Sequence, residues 1–440
     1  MKAVIMAGGE GKRLRPVSCG CPKPMVRLLG RPLMEHIIAL LRESGLRQIC
    51  VTLCSQPEAV RGYFGSGEKF GVEICYREET VPLGTAGGVK NCAGFIGGDD
   101  VLVISGDAAC AIDLGRLIEA HREHRPCVTI ALAERSDPLR YGLVLTEASG
   151  RVTGFIEKPD WSRVVTDMVN TGIYILSPEA VAAIPGGVEY DFGRDLFPEL
   201  LRRGSILRGE PAAGYWCDIG TPEEYLKCSI DALRGALPVT APFPQLAPGA
   251  YCASPLPEST KLIAPCAVAE DVLVAPGAVI GPDACIDPGS RIGPFARIER
   301  SVVGGGEVGA RAELDGAIVC RGAAVPGGAK LSRGEIAAPE GAERAPERPP
   351  LSARTSPEGV RLCEIPCRSR AQLMRRLSEA MMEAGADFSD GLTIARGGAH
   401  VRVAPEAGRS ALVVESFGEP ELDRRLAEGF QKLSRRLEGE

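Results

Sequence analysis

Histidine, paired cysteines and a basic charge balance are all scarce in this sequence. Histidine occurs only four times in 440 residues, and none of the four lies in a motif, so the sequence gives little support to chemistry that needs a histidine base. None of the sixteen cysteines forms a C-x-x-C pair, which excludes the common zinc-finger spacings. We expect most of these thiols to be reduced and buried as small apolar side chains.

Long apolar runs are missing as well. No stretch approaches the ~18 continuous apolar residues of a membrane helix, and Met1 leads directly into Lys2 and Ala3 without the apolar region of a secretory signal. We therefore expect a cytoplasmic protein with no membrane partner. The formal net charge is −6, whereas a nucleic-acid binder normally carries a basic surface, so nucleic acid is not an expected partner. The length predicts about two to three domains.

The first thirty residues carry the most informative pattern. The apolar run Lys2 to Ala7 predicts a buried parallel strand, and it is followed by G-G-E-G-K-R-L-R-P and then by P-K-P-M at 22–25. Glycine amides can surround an anion, and Arg13 and Lys23 would add positive charge beside it. Neither the dinucleotide fingerprint nor the P-loop spacing fits. The pattern favours a triphosphate site, with a tight turn carrying solvated charges as the alternative.

Further motifs follow on alternating strand and helix patterns up to about residue 233, which predict parallel βαβ units. They are P-L-G-T-A-G-G at 82–88, G-D at 106–107, F-I-E-K-P at 155–159, N-T-G at 170–172 and W-C-D-I-G-T-P at 216–222. Each has an ordinary explanation when taken alone: a helix start, a helix cap or a solvated ion pair. An open α/β sheet binds ligands at the carboxyl ends of its strands, where Asp107 and Asp218 are predicted to lie.

Taken together and in this order, the motifs resemble the signature of sugar-1-phosphate nucleotidylyltransferases, also called NDP-sugar pyrophosphorylases, over residues 1–233. The resemblance implies a Rossmann-like α/β domain and assigns three sets of residues. The implied nucleotide-binding residues are Ala7, Gly8, Gly9, Gly11, Lys12, Arg13, Leu83, Gly84 and Thr85. The implied sugar-phosphate residues are Gly142, Glu157, Lys158, Asn170 and Thr171. The implied catalytic residues are Arg13, Lys23, Asp107 and Asp218, of which Asp107 and Asp218 would hold Mg²⁺.

The reaction implied is NTP plus sugar 1-phosphate giving NDP-sugar and pyrophosphate, with no protein nucleophile. GTP and mannose 1-phosphate are our first expectation. A Leu-Gly-Thr-Ala loop, and a tail like the one described below for residues 358–440, both occur in the mannose-1-phosphate guanylyltransferase branch of the family. Glucose 1-phosphate with UTP or dTTP is the alternative. A catalytically silent sensor of nucleotide sugars is a second alternative, although such proteins should have lost some of the charged groups that are all present here.

After a Pro- and Ala-rich stretch at 234–260, predicted to be a linker, an internal repeat begins. Aliphatic residues recur every six positions at Leu262, Val268, Val274, Ile280, Ile286, Ile292 and Ile298, and the register then slips and resumes. This period predicts a prism-shaped solenoid. It resembles the hexapeptide repeats of left-handed parallel β-helices over 261–335, and we expect it to support a homo-oligomer. The repeat contains no histidine, so acyltransferase chemistry on it lacks support.

A second linker is predicted at 336–357. The final segment, 358–440, resembles the small α+β C-terminal domain of phosphohexomutases such as phosphomannomutase. Its expected phosphate loop reads A-P-E-A-G-R at 404–409, without the serine and threonine donors of the family. The phosphorylatable serine loop and the metal-binding loop of a mutase are also missing from the sequence, so no mutase activity is expected.

Overall fold

A computed structural model of the chain describes residues 1–9, 11–135, 138–160, 163–239, 241–345, 360–366, 373–374, 376–377, 381, 392–396, 399–405, 411–416 and 427–435. The chain forms two units. The first comprises Met1–Ile118, Pro185–Glu189 and Ala213–Pro346, and the second comprises Glu119–Ile184, Tyr190–Ala212 and Glu347–Glu440.

The first unit begins with a parallel sheet in the order β6-β1-β4-β5. Its elements are β1 (Lys2–Met6), β2 (Arg27–Leu28), β3 (Arg31–Pro32), α1 (Leu33–Glu43), β4 (Gln48–Leu53), α2 (Pro57–Phe64), β5 (Glu73–Glu78), α3 (Gly84–Asn91), α4 (Ala93–Ile96), β6 (Val101–Ser105) and β7 (Ala108–Ile112). Strand β1 is central because its side chains are apolar on both faces: Ala3, Val4 and Ile5 are fully buried. This confirms the predicted buried strand at the start of the chain.

The carboxyl ends of β1 and β6 lie side by side, since Met6 pairs with Ser105. Gly106 follows β6 and donates its N–H to the Met6 carbonyl at 2.8 Å. A Cβ at Gly106 would lie 3.0 Å from that carbonyl oxygen, so the glycine permits this close approach. The chain then turns into β7, and Asp107 is held at the edge of the sheet between the two strands.

Helix α5 (Leu114–His124) begins in the first unit and ends in the second. The second unit contains a sheet in the order β12-β8-β11-β9-β10. Its elements are β8 (Val128–Glu134), β9 (Gly142–Thr146), β10 (Val152–Glu157), β11 (Met168–Leu176), α6 (Pro178–Ala183), a π-helix (Phe192–Leu196), α7 (Phe197–Arg202) and β12 (Leu207–Pro211).

The expectation of parallel βαβ units throughout 1–233 is wrong for this second sheet. Only β12 and β8 run parallel, whereas β8, β11, β9 and β10 are joined by antiparallel pairings. The segment between β9 and β10 is a short turn, too short for the crossover helix that a parallel connection needs. Rings of Phe155, Tyr174, Phe192 and Phe197 pack together with centroids 4.7–5.6 Å apart.

The chain returns to the first unit with β13 (Gly214–Asp218) and α8 (Pro222–Leu233). Strand β13 pairs antiparallel with β7, and Asp218 stands opposite Ala108. Thr221 and Pro222, which end the W-C-D-I-G-T-P motif, begin this helix: the Thr221 hydroxyl accepts the Glu224 N–H at 3.3 Å, and Pro222 occupies the first turn.

Three sheets of short strands follow, and successive strands along the repeat lie in different sheets. The strands are β14 (Gln245–Ala247), β15 (Ala250–Cys252), β16 (Lys261–Leu262), β17 (Cys266–Val268), β18 (Leu273–Val274), β19 (Val279–Ile280), β20 (Ala284–Ile286), β21 (Arg291–Ile292), β22 (Arg297–Glu299), β23 (Val302–Val303), β24 (Glu307–Val308), β25 (Glu313–Asp315), β26 (Ile318–Val319), β27 (Ala324–Val325), β28 (Lys330–Leu331) and β29 (Ile336–Ala337). We call residues 245–337 the three-sheet segment. All its pairings are parallel except β14 with β15. Val268, Ile280, Ile286, Ile292 and Ile298 are buried in it.

Two boundaries expected from the sequence shift in the structure. Strands β14 and β15 lie inside 234–260, which we predicted as a linker, and β29 lies in the predicted second linker. Ala250 is in phase with the six-residue period and is buried, but alanine is too common in linkers to be distinguished by composition. The slip after Ile298 reflects layers of unequal length, because Cys266 pairs with Ala284 whereas Arg297 pairs with Glu313.

The three-sheet segment packs against α8 and the β2–β3 hairpin. The Arg234 guanidinium donates to both carboxylate oxygens of Asp283 at 2.8 and 2.6 Å. The Gly30 N–H donates to Asp287 at 3.2 Å. Residues of α8 and of β15, β17, β20, β23 and β26 belong to one buried apolar cluster, so the segment shares a core with α8.

In the tail, β30 (Val360–Pro366), β31 (Leu392–Arg396), β32 (Ala399–Pro405) and β33 (Ala411–Ser416) form an antiparallel sheet in the order β30-β33-β32-β31. The sequence pattern predicts strands at 391–395, 400–403 and 410–415, which β31, β32 and β33 overlap, whereas β30 was not predicted. Residues 373–374, 376–377, 381 and 427–435 are helical, within the helices that the pattern predicts at 370–384 and 419–437. The altered phosphate loop at 406–409 lies outside the described residues. No helix in the described parts of the chain is long and apolar enough to cross a bilayer.

We predict that Gly293→Ala destabilises the three-sheet segment by about 1–3 kcal/mol, the usual cost of overpacking. The added Cβ would lie 2.7 Å from the backbone of Gly309 and Ala310 in the next layer. Gly304→Ala is the matched control, because its Cβ would meet no atom nearer than 3.4 Å. The measurement is the urea midpoint of each variant. Equal midpoints for the two would contradict the predicted layer contact.

Candidate active site

The loop after β1 keeps its backbone close to Lys23. Gly11 adopts a left-handed conformation, φ +63°, at the start of a 3₁₀ turn over Lys12–Leu14. A Cβ there would lie 3.0 Å from the Lys23 Cβ, so glycine is favoured both by conformation and by space. The Ser18 hydroxyl donates to the Gly11 carbonyl at 3.0 Å. Gly9 borders open space, which leaves this part of the loop accessible to a ligand.

Lys23 joins the two aspartates that the sequence predicts at the strand ends. Its Nζ lies 2.7 Å from Asp107 Oδ2 and 3.2 Å from Asp218 Oδ1. The Lys23 side chain is 6% exposed, and the two carboxylates are about a quarter exposed, 27% and 25%. The three residues come from the loop after β1, the end of β6 and the end of β13, and the fold alone brings them together.

In this group, the neighbouring charges and hydrogen bonds together affect the pKa values of Lys23 and Asp107 more than burial does. Burial alone would lower the pKa of Lys23, but the charges and hydrogen bonds of Asp107 and Asp218 raise it overall. Burial alone would likewise raise the pKa of Asp107, but the Lys23 ammonium and the Ser105 hydroxyl lower it overall. Ser105 Oγ donates to Asp107 Oδ1 at 2.5 Å. We therefore take Lys23 as an ammonium and Asp107 as a carboxylate at neutral pH.

Arg13 lies at the open side of the same group. Its Nη2 is 3.9 Å from Asp218 Oδ2, and its side chain is 60% exposed. The Gly220 N–H donates to Glu224 Oε2 at 2.9 Å, which fixes the turn between Asp218 and α8. The four residues predicted to be catalytic are thus brought together in the first unit. Glu224, which supports them, was not singled out by the sequence.

No cluster of three or more His, Cys, Asp or Glu side chains suited to a metal ion is found among the described residues. Two carboxylates do converge at Lys23, and each provides the hard oxygen donors that magnesium prefers. Magnesium sites commonly combine one or two carboxylates with substrate phosphates. The residues present therefore fit a magnesium ion that arrives with a nucleotide.

The loop at 82–88, predicted to bind the nucleotide, lies beside a buried acid that the sequence did not single out. Gly84, φ +71°, begins α3 directly after Leu83. Glu79 is buried, and its Oε2 accepts the Leu83 N–H at 3.1 Å. Burial raises the pKa of Glu79. A Cβ at Gly88 would lie 2.6 Å from the other carboxylate oxygen, so small residues in this helix make room for Glu79. Nothing in the sequence shows which of the two adjacent acids, Glu78 or Glu79, is buried.

The residues predicted to bind sugar phosphate lie in the second unit. Gly142 pairs with Glu157 across β9 and β10, and a Cβ at Gly142 would lie 2.9 Å from Glu157 Oε2. Lys158 Nζ is 3.6 Å from Glu157 Oε1, and 68% of the Lys158 side chain is exposed. Burial raises the pKa of Glu157. Lys158 adopts a left-handed φ of 40°, a strained conformation that a lysine seldom takes.

Asn170 and Thr171 belong to β11 in the same unit. Asn170 Nδ2 donates to the Tyr174 hydroxyl at 2.8 Å, and its Oδ1 accepts the Gly172 N–H at 3.0 Å. Thr171 is buried, and its hydroxyl donates to the Ala131 carbonyl at 2.7 Å. Thr171 therefore has a structural role in the sheet, while Asn170 is half-buried beside Tyr174.

Several known proteins are similar to this chain. A family model described as nucleotidyl transferase matches residues 2–235. The mannose-1-phosphate guanylyltransferase of Mycobacterium tuberculosis is 34% identical over 333 residues, 75% of this chain and 83% of that protein. The UTP–glucose-1-phosphate uridylyltransferase of Synechocystis is 33% identical, covering 64% of this chain and 81% of that protein. The mannose-1-phosphate guanyltransferase of Yarrowia lipolytica is 33% identical, covering 51% and 62%.

We predict that Lys23→Met lowers the free energy of unfolding at pH 7 by about 1–3 kcal/mol, because two partly buried carboxylates lose their counter-charge. The lowered pKa of Asp107 stabilises the fold above the unfolded carboxyl value of ~3.9, and this stability is lost as pH falls through the folded value. The raised pKa of Lys23 stabilises the fold below the unfolded value of ~10.4, and this is lost as pH rises through the folded value. The gap between variant and wild type should therefore narrow from pH 7 towards pH 3, below the unfolded carboxyl value and as pH approaches the folded pKa of Asp107.

Urea unfolding of both proteins at the two pH values tests this. Arg13→Met is the control, since Arg13 is largely exposed and 3.9 Å from Asp218, and it should change stability little. A gap that is absent at pH 7, or that is the same at both pH values, would contradict the electrostatic account of Lys23.

Proposed function

Since the chain belongs to the nucleotidyl transferase family, we propose that it transfers the guanylyl group of GTP to mannose 1-phosphate and releases pyrophosphate. Its similarity to these relatives shows that it is a sugar-1-phosphate nucleotidyltransferase. Two of the three relatives described above are named for mannose 1-phosphate and a guanylyl group, which supports this choice of base and sugar. The Leu83-Gly84-Thr85 loop supports it as well. Glucose 1-phosphate with UTP is the second candidate, supported by the relative from Synechocystis.

The observation that carries the proposal is the contact of Lys23 with Asp107 and Asp218. In the reaction, an oxygen of the sugar phosphate forms a bond to the α-phosphorus of GTP, and the bond from that phosphorus to the bridging oxygen of pyrophosphate breaks. The attacking phosphate is already an anion, so no general base is required. The protein's task is to align two polyanions and to offset their charge. A buried ammonium between two carboxylates, beside an open glycine loop, suits that task.

Each residue of the first unit then has a defined part. The amides of the loop after β1 and Arg13 bind the β- and γ-phosphates, which become the leaving pyrophosphate. Lys23 moves from the carboxylates towards the α-phosphate when the nucleotide binds. Asp107 and Asp218 would hold the magnesium ion that nucleotidyltransferases of this family generally use. The chemistry such an ion supplies is neutralisation of charge at the reacting phosphate.

In the second unit, we propose that Lys158 binds the sugar phosphate and that Glu157 and Asn170 accept and donate hydrogen bonds with the sugar hydroxyls. The exposed Lys158 ammonium and the half-buried Glu157 support this assignment. Because Gly142 has no side chain, Phe155 and Glu157 can pack against its backbone. A silent sensor protein is disfavoured because every charged group of both sets is present.

We further propose that the three-sheet segment is a left-handed parallel β-helix that supports a homo-oligomer, and that the tail is a phosphomannomutase-like domain without mutase activity. The parallel pairings between successive layers support the first assignment. The antiparallel tail sheet supports the second. The domains would be 1–233, a repeat from about 245 to 337, and 358–440.

Asp107→Asn and Asp218→Asn should each lower kcat by ~10²-fold or more, the scale of losing preorganised charge at a reacting centre. Asp99→Asn, an exposed acid of the same unit, is the control and should keep full activity. The assay is pyrophosphate release with magnesium, using GTP, UTP and dTTP against mannose and glucose 1-phosphates. Near-wild-type turnover by either variant would remove that residue from the centre. A preference for UTP with glucose 1-phosphate would establish the second candidate.

The tail should have no part in phosphate migration on the sugar. We expect no interconversion of mannose 1- and 6-phosphates above background, with or without a sugar bisphosphate, because the sequence lacks a phosphorylatable serine loop. Measurable interconversion would overturn the assignment. A chain ending near Ser352 should retain the transferase reaction, and its loss would show that the tail supports the first unit.

A further inference from the structure

A cavity whose lining differs from that of the site of Arg13, Lys23, Asp107 and Asp218 lies in the first unit. It has a volume of about 260 Å³ and is lined by residues of the 17–27 segment, α8 and the ends of β20 and β26. All of these belong to the first unit. None of the residues assigned above to nucleotide, sugar phosphate or metal lines it.

Two guanidinium groups border this cavity without a close ion pair to any described carboxylate, although the charges of both act on the nearby Asp287 carboxyl and lower its pKa against the larger effect of burial. Arg27 donates one hydrogen bond, to the Gly30 carbonyl at 3.0 Å, and forms no ion pair with a described residue. Arg321 follows β26 at the rim, is exposed, and likewise has no ion-pair partner within the described ranges. Paired arginines suit a phosphate group, because their planar donors match its oxygens.

Two buried polar groups open into the same cavity. Asp287 is 4% exposed, and only its Oδ1 is bonded, to the Gly30 N–H at 3.2 Å. Tyr225 is 3% exposed, and its hydroxyl has no hydrogen-bond partner among the residues that the structure describes. Buried polar atoms are nearly always hydrogen-bonded, so both groups are suited to ligand hydroxyls. Tyr225 can donate or accept, and a carboxylate Asp287 accepts.

We propose that this cavity is a binding site for a small sugar phosphate. It is distinct from the transfer centre, by which we mean Arg13, Lys23, Asp107 and Asp218. The phosphate would lie on Arg27 and Arg321, and sugar hydroxyls would bond to Asp287 Oδ2 and Tyr225. The cavity is slightly smaller than the usual ligand pocket of about 300–1,000 Å³, which suits a monosaccharide phosphate rather than a nucleotide. Cys21 and Met25 also line it, so the ligand would touch both flanks of the turn that carries Lys23.

The test is equilibrium binding to the full-length protein, measured by calorimetry without GTP or magnesium. The probes are mannose 6-phosphate and inorganic phosphate. Arg321→Ala should weaken both by about tenfold or more, whereas Tyr225→Phe should weaken only mannose 6-phosphate, by about two- to tenfold. Arg333→Ala, another exposed arginine of the three-sheet segment, should change neither. Asp218→Asn should leave binding intact, because it alters only the transfer centre.

The proposal is overturned if wild type does not bind mannose 6-phosphate, or if Arg321→Ala and Tyr225→Phe bind it as wild type does. Binding lost in Asp218→Asn but kept in both cavity variants would place the probe in the transfer centre instead. Equal sensitivity of both probes to Tyr225→Phe would overturn the hydroxyl contact. Because the readout needs no turnover, these outcomes are separate from success or failure of the proposed transfer reaction.

Discussion

A buried ammonium needs nearby negative charge, and this requirement organises the first unit. Lys23 is nearly inaccessible to solvent, and Asp107 and Asp218 provide its counter-charges at 2.7 and 3.2 Å. Each carboxylate depends on a strand pairing for its position. Met6 paired with Ser105 places Asp107 beside the loop after β1, and Ala108 paired with Asp218 places the second acid next to the first. Loss of either strand pairing would move one of the two carboxylates away from Lys23.

The same group explains how a nucleotide could be accepted. Without a ligand, the ammonium offsets two carboxylates that would otherwise repel each other. A triphosphate would offer the Lys23 ammonium new negative charge, and Asp107 and Asp218 would then be available to hold the magnesium ion that accompanies it. Each group would keep a partner of opposite charge, so that no buried charge would be left unpaired.

Sequence motifs predicted which charged residues of the first unit lie together, because these residues follow strands. Lys23, Asp107 and Asp218 were identified from glycine and proline motifs and from strand ends, and the structure brings them together. The six-residue period likewise identified the repeat, since Val268, Ile280 and Ile286 are buried where it predicts. Both patterns are local, and local patterns are what a single sequence records.

Features that depend on distant contacts were not predictable in this way. Glu79 is buried where Gly88, lacking a side chain, leaves space for its carboxylate. Asp287 is buried by the β2–β3 hairpin, which is far away in the sequence. Ala250 was hidden in a stretch rich in alanine and proline. The antiparallel pairings of β9 to β11 were also missed, because alternation of strands and helices elsewhere suggested parallel units.

The central claim is that Asp107 and Asp218 together bind the metal of a nucleotide complex. Electron paramagnetic resonance of Mn²⁺, titrated into the protein with a non-hydrolysable GTP analogue, tests it most directly. The account predicts bound Mn²⁺ in wild type that requires the nucleotide, with affinity reduced about tenfold or more in both Asp107→Asn and Asp218→Asn. Mn²⁺ bound equally well by wild type and both variants would contradict it.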